Sequence, residues 1–249
     1  IRTDPNFVFV DNYIKMFTSS DFWSSCLHTL QYVFIEVPLV IFFGMILALL
    51  VNQKFKGISF FRGAYFIPVV SSWVAVSLIW KGLLNPKFGM INQGLSVLGI
   101  QGPSWLFDPS WAMWGVILAS TWKDMGFAMV LLLGGLQNVD KQLLEASSLD
   151  GANSWKRFWK ITWPLISPSV FLTSMISAIS AFQVFEQVWV MTEGGPAGAT
   201  SVLVEHIYKN AFKYSQMGYA AALSWVLMLI ILVISLIQNK LEKKWVIYS

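Results

Sequence analysis

The 249-residue chain is 56% hydrophobic and only 12% charged, with a mean hydropathy of +0.61; against the roughly 25% charge of a soluble domain, this predicts an integral membrane protein. Its net charge of +4 and pI near 9.1 come without any basic run interleaved with aromatics, which excludes nucleic acid as a partner. The single cysteine, Cys26, cannot form an internal disulfide, and no C-x-x-C pair or histidine cluster offers metal ligands.

Residues 1–25 are mixed and polar, with Asp4, Asp11, Asn12 and Asp21, and lack the basic-then-apolar layout of a signal peptide. They read as a loop. The first span is predicted over 26–51, long enough for the roughly 20 residues that cross a bilayer at about 1.5 Å each. A short basic stretch leads to a second span over 61–83, in which Pro68 should bend the helix or mark a break. Residues 84–110 form a loop with Trp105 and Phe107 in a short interfacial piece. The third span covers 111–136 and opens with Trp111 and Trp114, which suit the aromatic belt of the interface.

Next comes LLEASSLDGANSWKRFWKITWPLISPS, residues 143–169, the one long polar segment set between apolar ones. It divides into two short helices hinged at Asp150-Gly151: Glu145 to Leu149 tolerate helix, glycine permits the left-handed conformation that ends one, and Asn153-Ser154 can cap the next. A helix–turn–helix held below a membrane domain suggests docking. Trp155, Trp159 and Trp163 recur every four residues and should form one apolar face packed on the membrane domain. A fourth span is predicted over 168–192, a loop with a Gly194-Gly195-Pro196 turn over 193–215, and a fifth span over 217–237.

Counting Lys and Arg in alternate loops places ten on the side of the 143–169 segment, among them Lys54, Lys56, Arg62, Lys141 and Arg157, and six, including Arg2, on the other. With acids included, the two sides carry +6 and 0. Basic residues are retained in the cytoplasm, so the 143–169 segment and the C-terminus are assigned there, and residues 1–25 to an extracytoplasmic loop. An exported polar N-terminus without a signal peptide predicts an earlier, sixth span before Ile1; the alternative is a natural five-span protein with an exported tail.

Within 143–169 the chain reads Glu145-Ala146-Ser147, Gly151, then, after nine residues, Ile161-Thr162-Trp163-Pro164. This resembles the E-A-A-x-x-x-G…I-x-L-P signature of binding-protein-dependent ABC import permeases, with Ser147 in place of the second alanine and Trp163 in place of leucine. ISFFRGAYFIPVVSS, LNPKFGMINQ, VWVMTEGGPAGAT and YKNAFKYSQMGYAAALSW are similar to the carbohydrate-type subgroup, so the resemblance covers essentially the whole chain. It implies an all-α type I ABC importer transmembrane domain over 26–249. It also implies that Glu145, Ala146, Ser147, Leu149, Asp150 and Gly151 couple to two ATPase subunits. The implied partners are a second homologous permease, as homodimer or heterodimer, an extracytoplasmic sugar-binding protein, a sugar and membrane lipid, in a bacterial or archaeal cell membrane. The chain carries no G-x-x-x-x-G-K-[ST] loop, so no cofactor is expected on it, with ATP and Mg on the partner ATPases.

Ionisable residues inside spans are costly and face a protein interior or a water-filled path. Here they are Glu36, Lys123, Asp124 and Glu186. Thr173, Ser177, Ser180, Gln183 and Gln187 should share one face of the fourth span with Glu186 beside it. Trp122, Lys123, Ser180, Gln183, Glu186 and Gln187 are therefore the candidate substrate path, with Phe185 or Trp189 available to stack on a pyranose. Two bland readings compete: small polar residues also serve helix packing, and Lys123 pairing with Glu186 or Glu36 would simply neutralise charge. With Lys123 the only base in the spans, a neutral sugar is favoured. A second reading is a transporter driven by an ion gradient, with Glu36, Asp124 and Glu186 as its relay. A third reading, an intramembrane hydrolase, finds no Ser/His or paired-carboxylate constellation, and His28 and His206 lie outside the deep apolar spans.

Overall fold

The computed structural model describes residues 8–53 and 56–246, and among these every regular element is helical. Arg2, Asp4 and Lys54 of the charge count lie outside the described residues. Three helices are long and apolar enough to cross a bilayer: α2 (Ser20–Val51), α6 (Pro109–Gln137) and α13 (Met217–Trp245). Two further candidates are broken pairs, giving up to five spans by length and composition. The first pair is α3 (Ile58–Val70) with α4 (Trp73–Leu83); the second runs from Ser154 to Phe182 with a 68° bend between Leu165 and Ser167.

The second span breaks as Pro68 suggests, but a few residues later. Ser71 and Ser72 are both extended, with ψ of 146° and 137°, and the Ser71 hydroxyl turns back to the Ile67 carbonyl at 3.0 Å. The region read as a loop over 1–25 contains α1 (Asp11–Thr18) and the start of α2. α1 was hidden by its polarity: only Met16 is fully buried, while Lys15 reaches the Gln216 amide at 2.7 Å. The loop over 84–110 holds α5 (Met90–Val97) and a 3₁₀ turn at Trp105–Phe107.

The residues form two compact units. One takes the described residues of Ile1–Ile35 with Ser72–Ser120 and Ser180–Val233. Its core joins Met16 and Phe22 to Leu203, Tyr219, Leu223 and Leu227. The other takes the described residues of Glu36–Ser71 and Ile234–Ser249 with Thr121–Ile179. There Val40, Leu47 and Ala48 of α2 pack with Met129, Leu132 and Leu136 of α6 and with Ile166 and Val170. Helices approach closely where α6 is small: a Cβ on Gly126 would overlap the Tyr65 carbonyl oxygen of α3, and one on Gly44 would meet the Ala128 Cβ at 2.6 Å. Small residues allow backbones to approach in this way within membranes. Outward faces keep their apolar residues, such as Phe34 and Phe42 on α2 and Leu229, Leu232 and Leu236 on α13, as lipid contact requires.

Candidate functional site

The docking segment begins with α7 (Lys141–Leu149), capped by Asp140, whose carboxylate accepts the Gln142 N–H at 2.8 Å. It ends in a Schellman motif. Gly151 has φ +76°, its N–H reaches the Ser148 carbonyl at 3.1 Å, and the Ala152 N–H reaches that of Ser147 at 3.0 Å. Asn153 then caps α8 (Ser154–Arg157) by accepting the Lys156 N–H at 2.8 Å. The expected hinge therefore falls at Gly151 itself, and both caps are made by the residues whose chemistry suggested them.

Glu145, Ala146, Leu149, Asp150 and Gly151 are exposed, Leu149 at 90%, while Ser147 is buried and its hydroxyl bonds the Leu144 carbonyl. An exposed leucine beside an exposed acid is a surface made to meet something. The opposite side of the segment is anchored: Leu144, Phe158, Trp163 and Leu165 pack on the α2/α6 core of their unit. After α8 the helix widens to a π turn over Phe158–Thr162, then continues as α9 (Trp163–Leu165) before the bend into α10 (Ser167–Phe182). The expected tryptophan face forms, but it is not packed along its length. Trp163 is half-buried on the core, but Trp155 and Trp159 are 71% and 45% exposed and stack edge-on with each other at 5.7 Å. Trp159 also meets Trp163 at 5.3 Å, so the three rings do run together as their spacing predicts, but only Trp163 reaches the core.

Lys123 is buried, and its ammonium donates to the Val69 carbonyl at 2.9 Å. Val69 stands in the last turn of α3, where the break at Ser71 leaves carbonyls without helical partners. A cation at a helix C-terminus suits the dipole as well as the missing hydrogen bond. Trp122, beside it on α6, is 40% exposed; Glu36 is buried and Asp124 half-buried.

The polar stripe expected along an unbroken fourth span is not a single helix face. α10 stops at Phe182; the Gln183 and Val184 N–H groups bond three residues back, and Phe185 has φ −147° and ψ −63°. α11 (Glu186–Met191) starts afresh and packs on α4, with the Lys81 ammonium donating to the Val190 carbonyl at 3.2 Å. Thr173 is buried with its hydroxyl on the Ser169 carbonyl, so it lines nothing. Ser180, Gln183 and Glu186 are exposed around the break, whereas Gln187 is buried and donates to the Tyr32 hydroxyl at 3.2 Å. Non-helical backbone inside a membrane protein is tolerated where it is buried in protein or lines a water-filled cavity.

The region 193–215, expected as a loop, contains α12 (Leu203–Tyr208) and a π turn at Lys209–Lys213. Glu205, fully buried, forms an ion pair with Lys209 and accepts the Ser201 hydroxyl at 2.8 Å. Gly194, at φ +81°, passes so near this pair that a Cβ would stand 2.8 Å from Glu205 Oε1. Above the helix break Phe185, Trp189, Tyr208 and Phe212 form a continuous ring cluster, and the Lys213 ammonium lies 4.6 Å over Trp189. Tyr208, Phe212 and Lys213 were missed because 193–215 was read as loop; the four-residue spacing of Tyr208 and Phe212 was the available signal.

Residues 17–247 match the family described as binding-protein-dependent transport system inner membrane component. The chain is 37% identical to the probable ABC transporter permease protein YesP of Bacillus subtilis, over 99% of this chain and 81% of that one. It is 36% identical to the lactose transport system permease protein LacF of Rhizobium radiobacter, over 91% and 78%. In fold it resembles a bacterial ABC transporter involved in the import of the acidic polysaccharide alginate, with a TM-score of 0.86 at 24% identity, over 97% of this chain and 85% of that one. An all-helical chain with several candidate spans and an exposed, doubly capped docking segment thus belongs to the binding-protein-dependent transport system inner membrane component family, the permeases of ABC importers.

Proposed function

We propose that this chain is the membrane permease of an ATP-driven sugar importer, coupled to ATPase subunits through residues 143–169. The carrying observation is the docking segment: Glu145 to Gly151 form an exposed helix and turn whose other side is locked into the α2/α6 core, so a push on one is delivered to the other. The sugar assignment draws support from relatives such as LacF, named for lactose transport. The partners are a second homologous permease, two ATPase subunits holding ATP and Mg, and an extracytoplasmic sugar-binding protein. On this reading the 143–169 segment and the C-terminus face the cytoplasm, and the turn of 193–215 meets the binding protein or lies near its opening.

The substrate path runs past the break at 183–185. Exposed Ser180, Gln183 and Glu186 offer hydrogen bonds to hydroxyls, the cluster around Trp189 offers aromatic faces, and Gln187 is held by the Tyr32 hydroxyl of the same unit; in the other unit Trp122 presents an exposed aromatic face beside Lys123. Because Lys123 is engaged at the Val69 carbonyl, it is poorly placed to receive a phosphate, which favours a neutral sugar.

Reconstitution tests the proposal. Sugar uptake into proteoliposomes should require ATP, the ATPase subunits and the binding protein, and Glu145→Ala should reduce it severely. Uptake that persists without ATPase subunits, driven by a proton or sodium gradient and lost on Glu36→Gln, would overturn it.

A further inference from the structure

The α2/α6 unit contains a cavity of about 660 Å³ among the end of α2, the start of α3, the end of α6 and the start of α7. Lys56, Arg62 and Lys141 line it together with the amides of Asn52, Gln53 and Gln137, and none of its described lining residues is an acid. Three cations around one concavity with no compensating carboxylate attract an anion. The carboxylate nearest in sequence, Asp140, is occupied as the cap of α7.

Arg62 shows that the wall is built rather than incidental. One of its terminal nitrogens donates to the Val51 carbonyl at 2.9 Å, which fixes the guanidinium at the last residue of α2. Its Nε, shielded from solvent, finds no acceptor among the described residues. The guanidinium therefore carries a donor that no described residue meets, and phosphate oxygens suit such a group.

The rest of the surroundings select the kind of anion. Ile58, Leu136, Val139 and Leu144 form apolar wall. The cavity lies at the ends of two membrane-crossing helices, the level at which headgroups lie. A free phosphate would gain nothing from this apolar border, whereas an acyl chain would. Basic pockets between membrane helices hold anionic lipid headgroups in this way.

We propose that the cavity binds the phosphate headgroup of an anionic phospholipid through Lys56, Arg62 and Lys141. Since Lys141 is the first residue of α7, the bound lipid ties the docking segment to the bilayer surface.

The test uses the complete transporter purified in mild detergent, incubated with mixed phosphatidylcholine and phosphatidylglycerol, with retained lipid quantified by mass spectrometry. Lys56→Gln/Lys141→Gln changes two exposed side chains, so folding is not at stake. Removing two cations should lower phosphatidylglycerol retention by roughly tenfold or more, at about fivefold per charge, with phosphatidylcholine unaffected. Lys243→Gln/Lys244→Gln removes the same charge from the exposed end of α13 and should leave retention unchanged. Equal losses in the two double variants would reduce the effect to general surface charge and overturn the site. Retention unaffected by Lys56→Gln/Lys141→Gln would overturn it as well. So would displacement of phosphatidylglycerol by millimolar inorganic phosphate at constant ionic strength, since the site would then recognise the free ion.

Discussion

Replacing Gly151 isolates the geometry of the docking segment from its chemistry. At φ +76° the residue is in the left-handed region, where an L side chain costs roughly 1–2 kcal/mol. A Cβ there would meet nothing within 4 Å, so no steric term adds to this. The expected cost of Gly151→Ala is thus the backbone term alone, about 1–2 kcal/mol, which shifts the occupancy of the turn by a factor of roughly 5–30. Asparagine tolerates this region better, and a β-branched residue worse. Coupled uptake in proteoliposomes should therefore fall in the order Gly, Asn, Ala, Val. The turn is exposed and outside the core, so the thermal midpoint of the purified transporter should stay nearly constant across the series. Uptake that is equal in all four variants, or that falls only in step with the thermal midpoint, would refute the argument that Gly151 acts by setting the turn.

Lys123→Met removes the donor from the Val69 carbonyl and should destabilise the protein by about 1–3 kcal/mol, seen as a lower thermal midpoint; an unchanged midpoint would show that the end of α3 needs no cap. Gly126→Val places a side chain against the Tyr65 carbonyl and within 3.0 Å of Val69 Cγ2, so the yield of folded protein should drop sharply. Glu205→Gln leaves Lys209 without its ionic partner and should cost more stability than Glu205→Gln/Lys209→Met, in which neither charge remains; the reverse order would show that the pair is inconsequential. Burial holds the His206 imidazole below its ordinary 6.5. The unfolded chain then takes up the proton first, so stability should decline as pH falls through 6.5 and level off below the folded value. His206→Gln should flatten that decline in a thermal-shift series.

What could be read in advance was local. Asp150-Gly151 and Asn153 announce a helix end and a helix start by their own conformational preferences, and both appear where expected. α2, α6 and α13 are long apolar runs whose existence needs no partner. The break at Gln183-Val184-Phe185 has neither Gly nor Pro to mark it; it depends on how α11 packs against α4, which no local pattern records. The role of Lys123 was hidden for a related reason. Its acceptor is a backbone carbonyl freed by the break at Ser71-Ser72, and carbonyls leave no trace in a list of charged residues. The spacing of Trp155, Trp159 and Trp163 predicts their mutual contact correctly, whereas which of them reaches the core depends on where the α2/α6 packing ends, and that is not a local property.

The π turn at Phe158–Thr162 sets the length of the link between the caps and the core. A turn with one residue more than its neighbours is where a helix absorbs an insertion without unwinding. A variant lacking one residue within Phe158–Thr162 would keep the caps before Phe158 but turn Trp163 and Leu165 relative to the α2/α6 core, and so lose the anchoring of the docking segment. The extra residue thus sets the angular offset between the face of α8 and the face of α9 that meets the core.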